Sequence, residues 1–455
     1  MRFQPSLMLT GFLILSMPVN GSNPLVAKVG SSSPANQRGP AGAMFSPAVN
    51  YTVGTSPRGV FAVDLDGDMD VDVVAANLST DNVSILKNDG DGTFAGPVNH
   101  NVGDHPRTVF AADLDGDLDM DLVAANEFDA NVSVLKNNGD ATFGATVNYA
   151  ACSEAMSVFA VDLDGDGDGD LAVAGNGVSG PDIVILKNNG NGTFAAPVSY
   201  GTTNGSLRIF GADLDGDLDC DLAVANYVNG ALIIKNNGNA TFTGPVAYSA
   251  GNSASGVSAA DLDGDGDNDL AVSNYSSNDV SILMNNGNGT FAAAVNYAAG
   301  SGTKSVFAAD LDGDGDLDLA TGNMFSNTVS VLLNQGNGTF AAAVDFNVQN
   351  IPECVYGGDL DGDGDIDLVT SNAGSNSVSV LINLTGPYYM CGDANGDGKI
   401  NVGDAVFIIS YIFRGGPAPD PFDAGDSNCD GKVNVGDAIY LVSYIFRGGP
   451  APCCP

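Results

Sequence analysis

A nine-residue pattern recurs seven times along the chain: Asp-Leu-Asp-Gly-Asp-x-Asp-x-Asp, beginning at Asp64, Asp113, Asp162, Asp213, Asp261, Asp310 and Asp359. Successive copies lie 48 to 51 residues apart. A fixed period of that length restricts the fold to a stack or a ring of similar supersecondary units. The flanks repeat as well. An apolar stretch precedes each copy, such as Val60-Phe61-Ala62-Val63, and another follows, such as Val73-Val74-Ala75-Ala76. Val83-Ser84-Ile85-Leu86, a turn at 88–92 and an alternating piece around Val98 complete the unit. Short β-rich runs between Gly, Asn and Asp turns predict four antiparallel strands per unit.

The two ends of the repeat decide between stack and ring. A Phe enters the fourth strand at Phe45, Phe94, Phe143, Phe194, Phe242, Phe291 and Phe340. The first of these precedes the first acidic loop, and none follows the seventh. One fourth strand is therefore displaced to residues 45–53, as a ring closed by its own N-terminal strand requires. An open stack would instead expose edge strands and need polar caps. The pattern predicts an all-β, seven-bladed β-propeller over 45–386.

Five carboxylates within nine residues repel one another unless a cation sits among them. Positions 1, 3, 5 and 9 offer side-chain oxygens and position 7 its carbonyl, a hard-oxygen set that suits Ca²⁺. The predicted ligands are Asp64, Asp66, Asp68 and Asp72 in the first loop, then Asp113, Asp115, Asp117 and Asp121. Asp162, Asp164, Asp166 and Asp170 follow, then Asp213, Asp215, Asp217 and Asp221. The last three sets are Asp261, Asp263, Asp265 and Asp269; Asp310, Asp312, Asp314 and Asp318; and Asp359, Asp361, Asp363 and Asp367. No His or thiolate is systematically present among them (Cys220 stands in one loop alone), which disfavours zinc. Position 12, acidic in an EF-hand, is apolar here (Ala75, Val173), so a strand follows instead of a helix. Position 6 is Gly in four loops but Met69, Leu118 and Leu218 in the others. A side chain there strains the turn and predicts weaker sites.

Composition narrows the function classes. The formal charge of −40 rests on 55 acids, of which only Glu127, Glu154 and Glu353 are Glu. Such a charge repels nucleic acid. Two His leave little room for His-based catalysis. Arg2, an apolar run over 7–19 and small residues at Gly21 and Ser22 predict a signal peptide over 1–21 and hence export. Residues 22–44 read as a flexible Ser/Pro/Gly/Ala linker. No other segment reaches 18 apolar residues, so no membrane span is expected in the mature chain. Cys152, Cys220 and Cys354 are expected unpaired. Cys391, Cys429, Cys453 and Cys454 fall in the last 65 residues, with three possible pairings.

A second pattern begins after a short linker at 387–390. Asp393, Asn395, Asp397, Lys399, Asn401 and Asp404 occupy positions 1, 3, 5, 7, 9 and 12 of a twelve-residue loop. Asp426, Asn428, Asp430, Lys432, Asn434 and Asp437 repeat it 33 residues later, again with Gly at position 6. Two further Ca²⁺ sites are predicted, about nine in all. A helical pattern follows each loop, with Val406, Ile409 and Phe413 on one side and Ile439, Val442 and Phe446 matching them. Arg414 and Arg447 suit the helix ends.

The acidic loops in their strand–loop–strand context resemble the FG-GAP/VCBS repeats of integrin α-subunit propellers and of many bacterial secreted proteins. This resemblance implies Ca²⁺ held on one face of the propeller by the acidic loops. The duplicated loop and helix of 391–455 resemble a type I dockerin, which implies a cohesin partner on a scaffold or surface protein. It also implies partner contacts at Val402, Gly403, Arg414, Val435, Gly436 and Arg447. Dockerins often carry hydroxyl residues where this chain has Val402-Gly403 and Val435-Gly436, and the identical pairs imply that either half can face the partner.

No Ser-His-Asp or Cys-His arrangement is evident. Asp104, Glu127, Asp129 and Glu154 are candidates for a glycosidase pair, but they fall in loops of differing sequence and read as solvated surface acids. The variable segments at 78–82, 127–131 and 177–182 and the blade-joining loops at 54–58, 103–107 and 202–208 share the face opposite the calcium loops. That face carries Arg58, Arg107, Arg208 and Lys304, with Tyr227 and Tyr275 beside them. A protein or glycan ligand is expected there. The reading is a non-enzymatic, extracellular or surface-attached binding protein; the alternative is a polysaccharide lyase or glycosidase.

Overall fold

The computed structural model describes residues 44–177, 182–201, 205–385, 392–395, 399–419, 422–428, 432–447 and 452. The expected leader, nearly all of the linker after it, the linker at 387–390, Asp397, Asp430 and the four C-terminal cysteines lie outside the described residues. The chain divides into two compact units, one ending at Thr385 and the other beginning at Gly386.

The first unit holds seven four-stranded antiparallel sheets. A strand at Val49–Thr52 (β1) comes first in the chain. Blade 1 then pairs Pro57–Val63 (β2), Asp72–Asn77 (β3), Asn82–Leu86 (β4) and Val98–Asn101 (β5) in sequence order. β1 does not belong to it. It completes the seventh sheet, beside Ser377–Leu381, Asp367–Asn372 and Pro352–Gly358, with Val49 opposite Val380 and Tyr51 opposite Val378. Ser379 Oγ donates to Asn50 Oδ1 at 2.6 Å across this seam. The ring is closed by its N-terminal strand, as the displaced Phe45 predicts.

Burial explains why each run becomes the strand it does. All six residues of β3 are buried, which matches its unbroken apolar stretch. β5 lies at the rim, and Val98 is exposed. Neighbouring blades pack face to face, with Val74 and Ile85 of blade 1 against Val109, Leu122 and Leu135 of blade 2. The Leu at position 2 of every acidic loop, from Leu65 to Leu360, is at most 2% exposed. Burying each contributes about 2 kcal/mol and pins the loop to the core.

The first strand of each blade faces the central channel. Phe61, Phe110, Phe159, Phe210, Phe307 and Tyr356 stand at the same position of six of these strands, and five adjacent pairs have ring centroids 4.5 to 5.0 Å apart. Ser258 takes the seventh place. Each inner strand also carries a register shift near its start, for example between Pro57 and Gly59. Such a bulge re-aims the skipped side chain, and the skipped residues include Arg58, Arg107, Lys304 and Glu353.

The second unit contains two helices, α1 (Val402–Arg414) and α2 (Val435–Arg447). Asn401 caps α1: its side chain accepts from Gly403 N, and Asp404 accepts from Asn401 N at 2.7 Å. Gly415 ends α1 in the left-handed region, at φ 65°. Ile408 and Leu441 are fully buried and form the small core with Ala394, Ala405 and Ala438. Val406, Ile409 and Phe413, and likewise Ile439, Val442 and Phe446, are exposed.

Candidate calcium centres and the opposite face

In blade 1 the acidic loop joins β2 to β3, and the other six loops sit alike. Asp64 begins the loop by accepting Gly67 N at 2.8 Å and Met69 N at 3.0 Å. Asp72 ends it from the buried start of β3, accepting Leu65 N at 3.1 Å and Asn88 N at 2.8 Å. The loop is thus folded back on its own first and last carboxylates. Asp359 and Asp367 repeat this in blade 7, at 2.6 to 3.1 Å.

The carboxylates of positions 1, 3 and 9 converge, with ligand atoms within 4.8 Å of one another, in Asp64/Asp66/Asp72, Asp113/Asp115/Asp121, Asp162/Asp164/Asp170 and Asp213/Asp215/Asp221. Position 5 faces the loop backbone: Asp68 Oδ1 accepts Asp70 N at 3.0 Å. Burial pushes the position-9 carboxyls up, to about 6 for Asp72 and Asp170. Asp121, Asp221, Asp269 and Asp318 rise to about 7, and Asp367 to about 9. The neighbouring carboxylates add to the rise. A cation among them would reverse both effects.

One observation tests the fit of Ca²⁺. Oδ1 of Asp66, Asp115, Asp164, Asp215 and Asp312 is buried and accepts no hydrogen bond. Buried carboxylate oxygens without donors are what a hard cation satisfies. The donor set fits Ca²⁺. Met69, Leu118 and Leu218 adopt φ of 74° to 77°, so position 6 does demand a left-handed backbone, and these three residues are strained in it.

Two features were hidden from the sequence. Each blade's third strand ends in an Asn that reaches the preceding blade: Asn188 Nδ2 donates to Leu114 O at 2.7 Å, and Asn88 Nδ2 to Leu360 O at 2.7 Å across the ring seam. Every position-2 Leu carbonyl is held in this way. The acidic loops and the ring are therefore tied together. In blades 1 to 4 a Lys precedes this Asn. Lys87, Lys136, Lys187 and Lys235 lie 3.0 to 3.1 Å from Oδ2 of Asp66, Asp115, Asp164 and Asp215. Met284, Leu333 and Ile382 take the place in blades 5 to 7.

An FG-GAP-like repeat model matches residues 64–124, 113–173, 162–224, 213–272, 261–321 and 320–370. The chain belongs to the FG-GAP-like repeat family. The first five matches in this FG-GAP-like chain each run from one acidic loop to the strand after the next, and the sixth runs from the strand after the sixth loop to the strand after the seventh. A dockerin type I domain matches residues 391–446. No curated protein matches the chain. Among solved structures, an Agrocybe aegerita lectin described as recognising non-reducing terminal N-acetylglucosamine aligns at 22% identity and TM-score 0.51. BBS1N in complex with ARL6DN, in lead-soaked and mercury-soaked crystals, aligns at 14% identity and TM-score 0.53. Each alignment covers 75% of this chain and 97% of the other. These likenesses show the fold.

The dockerin loops, in a domain type that binds calcium, share one construction. Asp404 Oδ1 accepts Asn395 N at 3.3 Å, and Asp437 Oδ1 accepts Asn428 N at 3.2 Å. Both acids are fully buried, and Asp393 and Asp426 are buried beside them. Lys399 O and Lys432 O each accept from the Asn two residues on. Val402 and Val435 are exposed at the helix starts, whereas Gly403 N and Gly436 N are used in capping. Arg414 and Arg447 fall in the last helical turns. A dockerin implies a cohesin partner. Among the described residues no helix is long and apolar enough to cross a membrane.

On the opposite face the structure corrects the sequence reading. Arg58, Arg107 and Arg208 do not lie in blade-joining loops; they and Lys304 lie in the inner strands, beginning at Pro57, Pro106, Ser206 and Thr303. Arg58 pairs with Glu353, whose side chain is only 4% exposed. Arg107 Nε pairs with Glu127 Oε2 at 2.7 Å, so Glu127 is a counter-ion and not a solvated acid. Asp104 accepts His105 Nδ1 at 2.5 Å, and Asp129 accepts Asp104 N at 2.8 Å. Lys304 Nζ lies 5.1 Å over the Tyr275 ring. Burial, with the fields of Arg107, Arg208 and Arg58, outweighs the pull of Glu353 and lowers the Lys304 ammonium. Glu353, Phe128 and Phe325 were missed, being single residues without a repeat to mark them.

Proposed function

We propose that the protein is an exported, calcium-stabilised propeller that binds a protein or glycan through its loop face and is held on a cohesin-bearing scaffold or cell surface by its dockerin. In this reading it binds and does not catalyse. The observation that carries the docking half is the pair of helices with matching exposed stripes, Val406/Ile409/Phe413 and Ile439/Val442/Phe446. Apolar side chains left at 39% to 68% exposure on both helices suit burial against a partner. The recognition surface is apolar, in keeping with Val402-Gly403 and Val435-Gly436 at the loop ends. The ligand half rests on the cations and aromatics of the loop face. The lectin among the fold relatives adds glycans to the candidate ligands.

Pull-down from the native secretome tests the docking half. A cohesin-bearing protein should be retained in Ca²⁺ and released by EDTA. Asp393→Ala with Asp426→Ala should abolish retention, while either alone leaves one half to dock. Retention that survives the double change would refute it. Turnover of any polysaccharide by the purified chain would replace the binding reading with the lyase or glycosidase alternative.

A further inference from the structure

The channel mouth opposite the acidic loops gathers four cations in an otherwise strongly acidic chain. Arg58, Arg107, Lys304 and Glu353 are the bulged second residues of four inner strands, and Arg208 is the third residue of a fifth. All five strands start at this mouth, so their side chains ring one opening. Four cations meet two partnered acids, Glu353 and Glu127, in a chain of formal charge −40. Arg58 and Arg107 are neutralised locally. Arg208 has no ion-pair or hydrogen-bond partner among the described residues, and Lys304 rests on the Tyr275 ring with no carboxylate in contact. Arg58 Nε is buried and donates to nothing. The aromatic ring from Phe61 to Tyr356 lies two or three residues deeper on the same strands and floors the opening.

The rim around this mouth is aromatic and open. Phe128 is 61% exposed and stacks on His105 at 4.1 Å; Phe325 is 60% exposed beside Tyr275; Tyr227 is 48% exposed. These are flat surfaces. Two grooves lie elsewhere, between outer strands of blades 5 to 7. A peptide anchored by a Leu or Phe side chain needs a pocket, whereas a pyranose ring stacks on an open aromatic face. Arg offers a planar fork that matches a carboxylate.

We propose that the channel mouth binds a uronic acid-bearing oligosaccharide, with its sugar faces on Tyr227, Phe128 and Phe325 and a carboxylate held by Arg208 and Lys304. This rests on the loop face being the ligand face and names the chemistry of that ligand.

Calorimetric titration of the calcium-loaded full chain with trigalacturonate, its methyl ester and an Asp/Glu hexapeptide tests it. Trigalacturonate should bind, with the methyl ester at least tenfold weaker and the peptide not bound. Arg208→Ala and Lys304→Met should each weaken trigalacturonate five- to tenfold, Arg208→Lys should recover part of the loss, and Tyr227→Ala should weaken the acid and its ester alike. Arg208 has no ion-pair or hydrogen-bond partner among the described residues, so its removal should leave the melting temperature unchanged. Equal binding of acid and ester, tighter binding of the peptide, or indifference to Arg208→Ala would overturn the inference. Neutral glycans or proteins captured by the same face would leave the broader reading standing; a wild-type chain that captures no glycan and no protein would overturn both.

Discussion

Asn188→Ala should destabilise the propeller far more than its size suggests. Asn188 is 6% exposed at the end of the third strand of blade 3. Its Nδ2 donates to Leu114 O in blade 2 at 2.7 Å and to Gly169 O at 3.0 Å. Its Oδ1 accepts Gly190 N at 3.2 Å and Gly192 N at 3.1 Å. Alanine removes all four bonds. Leu114 O is buried, and a buried carbonyl left without a donor costs about 1–3 kcal/mol, to which the part-buried Gly169 O adds a smaller amount. That is a sizeable part of the roughly 5–15 kcal/mol of a typical domain. Asn189→Ala is the control: Asn189 is exposed and donates within its own hairpin to Thr193 O at 2.9 Å, so it should cost less than about 1 kcal/mol. Thermal melts in saturating Ca²⁺ read both. Equal melting temperatures for the two variants would refute the idea that these side chains clasp blade to blade.

Three further outcomes follow from particular residues. Leu118→Gly should raise stability by about 0.5–1 kcal/mol, because it relieves a φ of 75° while removing a side chain that is already 77% exposed; a lower melting temperature would contradict this. Arg58→Glu should cost about 3 kcal/mol, since it strips buried Glu353 of its counter-ion and adds a like charge; an unchanged melt would show the pair to be dispensable. In metal-free protein the position-9 carboxyls are held above their unfolded value of about 3.9, from about 6 at Asp72 to about 9 at Asp367. The folded state then binds more protons between the two values, so the stability these acids contribute is fully present below about 4 and is lost as pH rises from there through the folded values of about 6 to about 9. Calorimetry should find the metal-free propeller melting lower at pH 8 than at pH 5.5, and the reverse order would contradict the burial of these acids.

The ring was legible because its evidence is periodic. Seven loops in one register gave the blades, and the displaced Phe45 gave the closure. What escaped was aperiodic or long-range. The clasp from Asn188 to Leu114 joins residues 74 apart, and only the ring brings them together. The segments 54–58 and 103–107 read as blade-joining loops that end on Arg58 and Arg107, because no alternation marks a bulged strand position. On α1 the helical period offers both Ile408 and the Val406/Ile409/Phe413 stripe as apolar, and only packing against Leu441 selects Ile408 for the core.

Calcium carries the account. Counting bound metal by atomic spectroscopy and melting the same sample in millimolar Ca²⁺ and then in EDTA tests it most directly. A ligand bound only to the folded form adds about 4 kcal/mol per site at a thousandfold excess over its Kd. Several such sites together exceed the usual stability of a domain. The account predicts close to nine calcium ions per chain, or about six if the Met69, Leu118 and Leu218 loops stay empty, and a melting temperature lowered by tens of degrees in EDTA. A chain with no bound calcium and a transition indifferent to EDTA would contradict it.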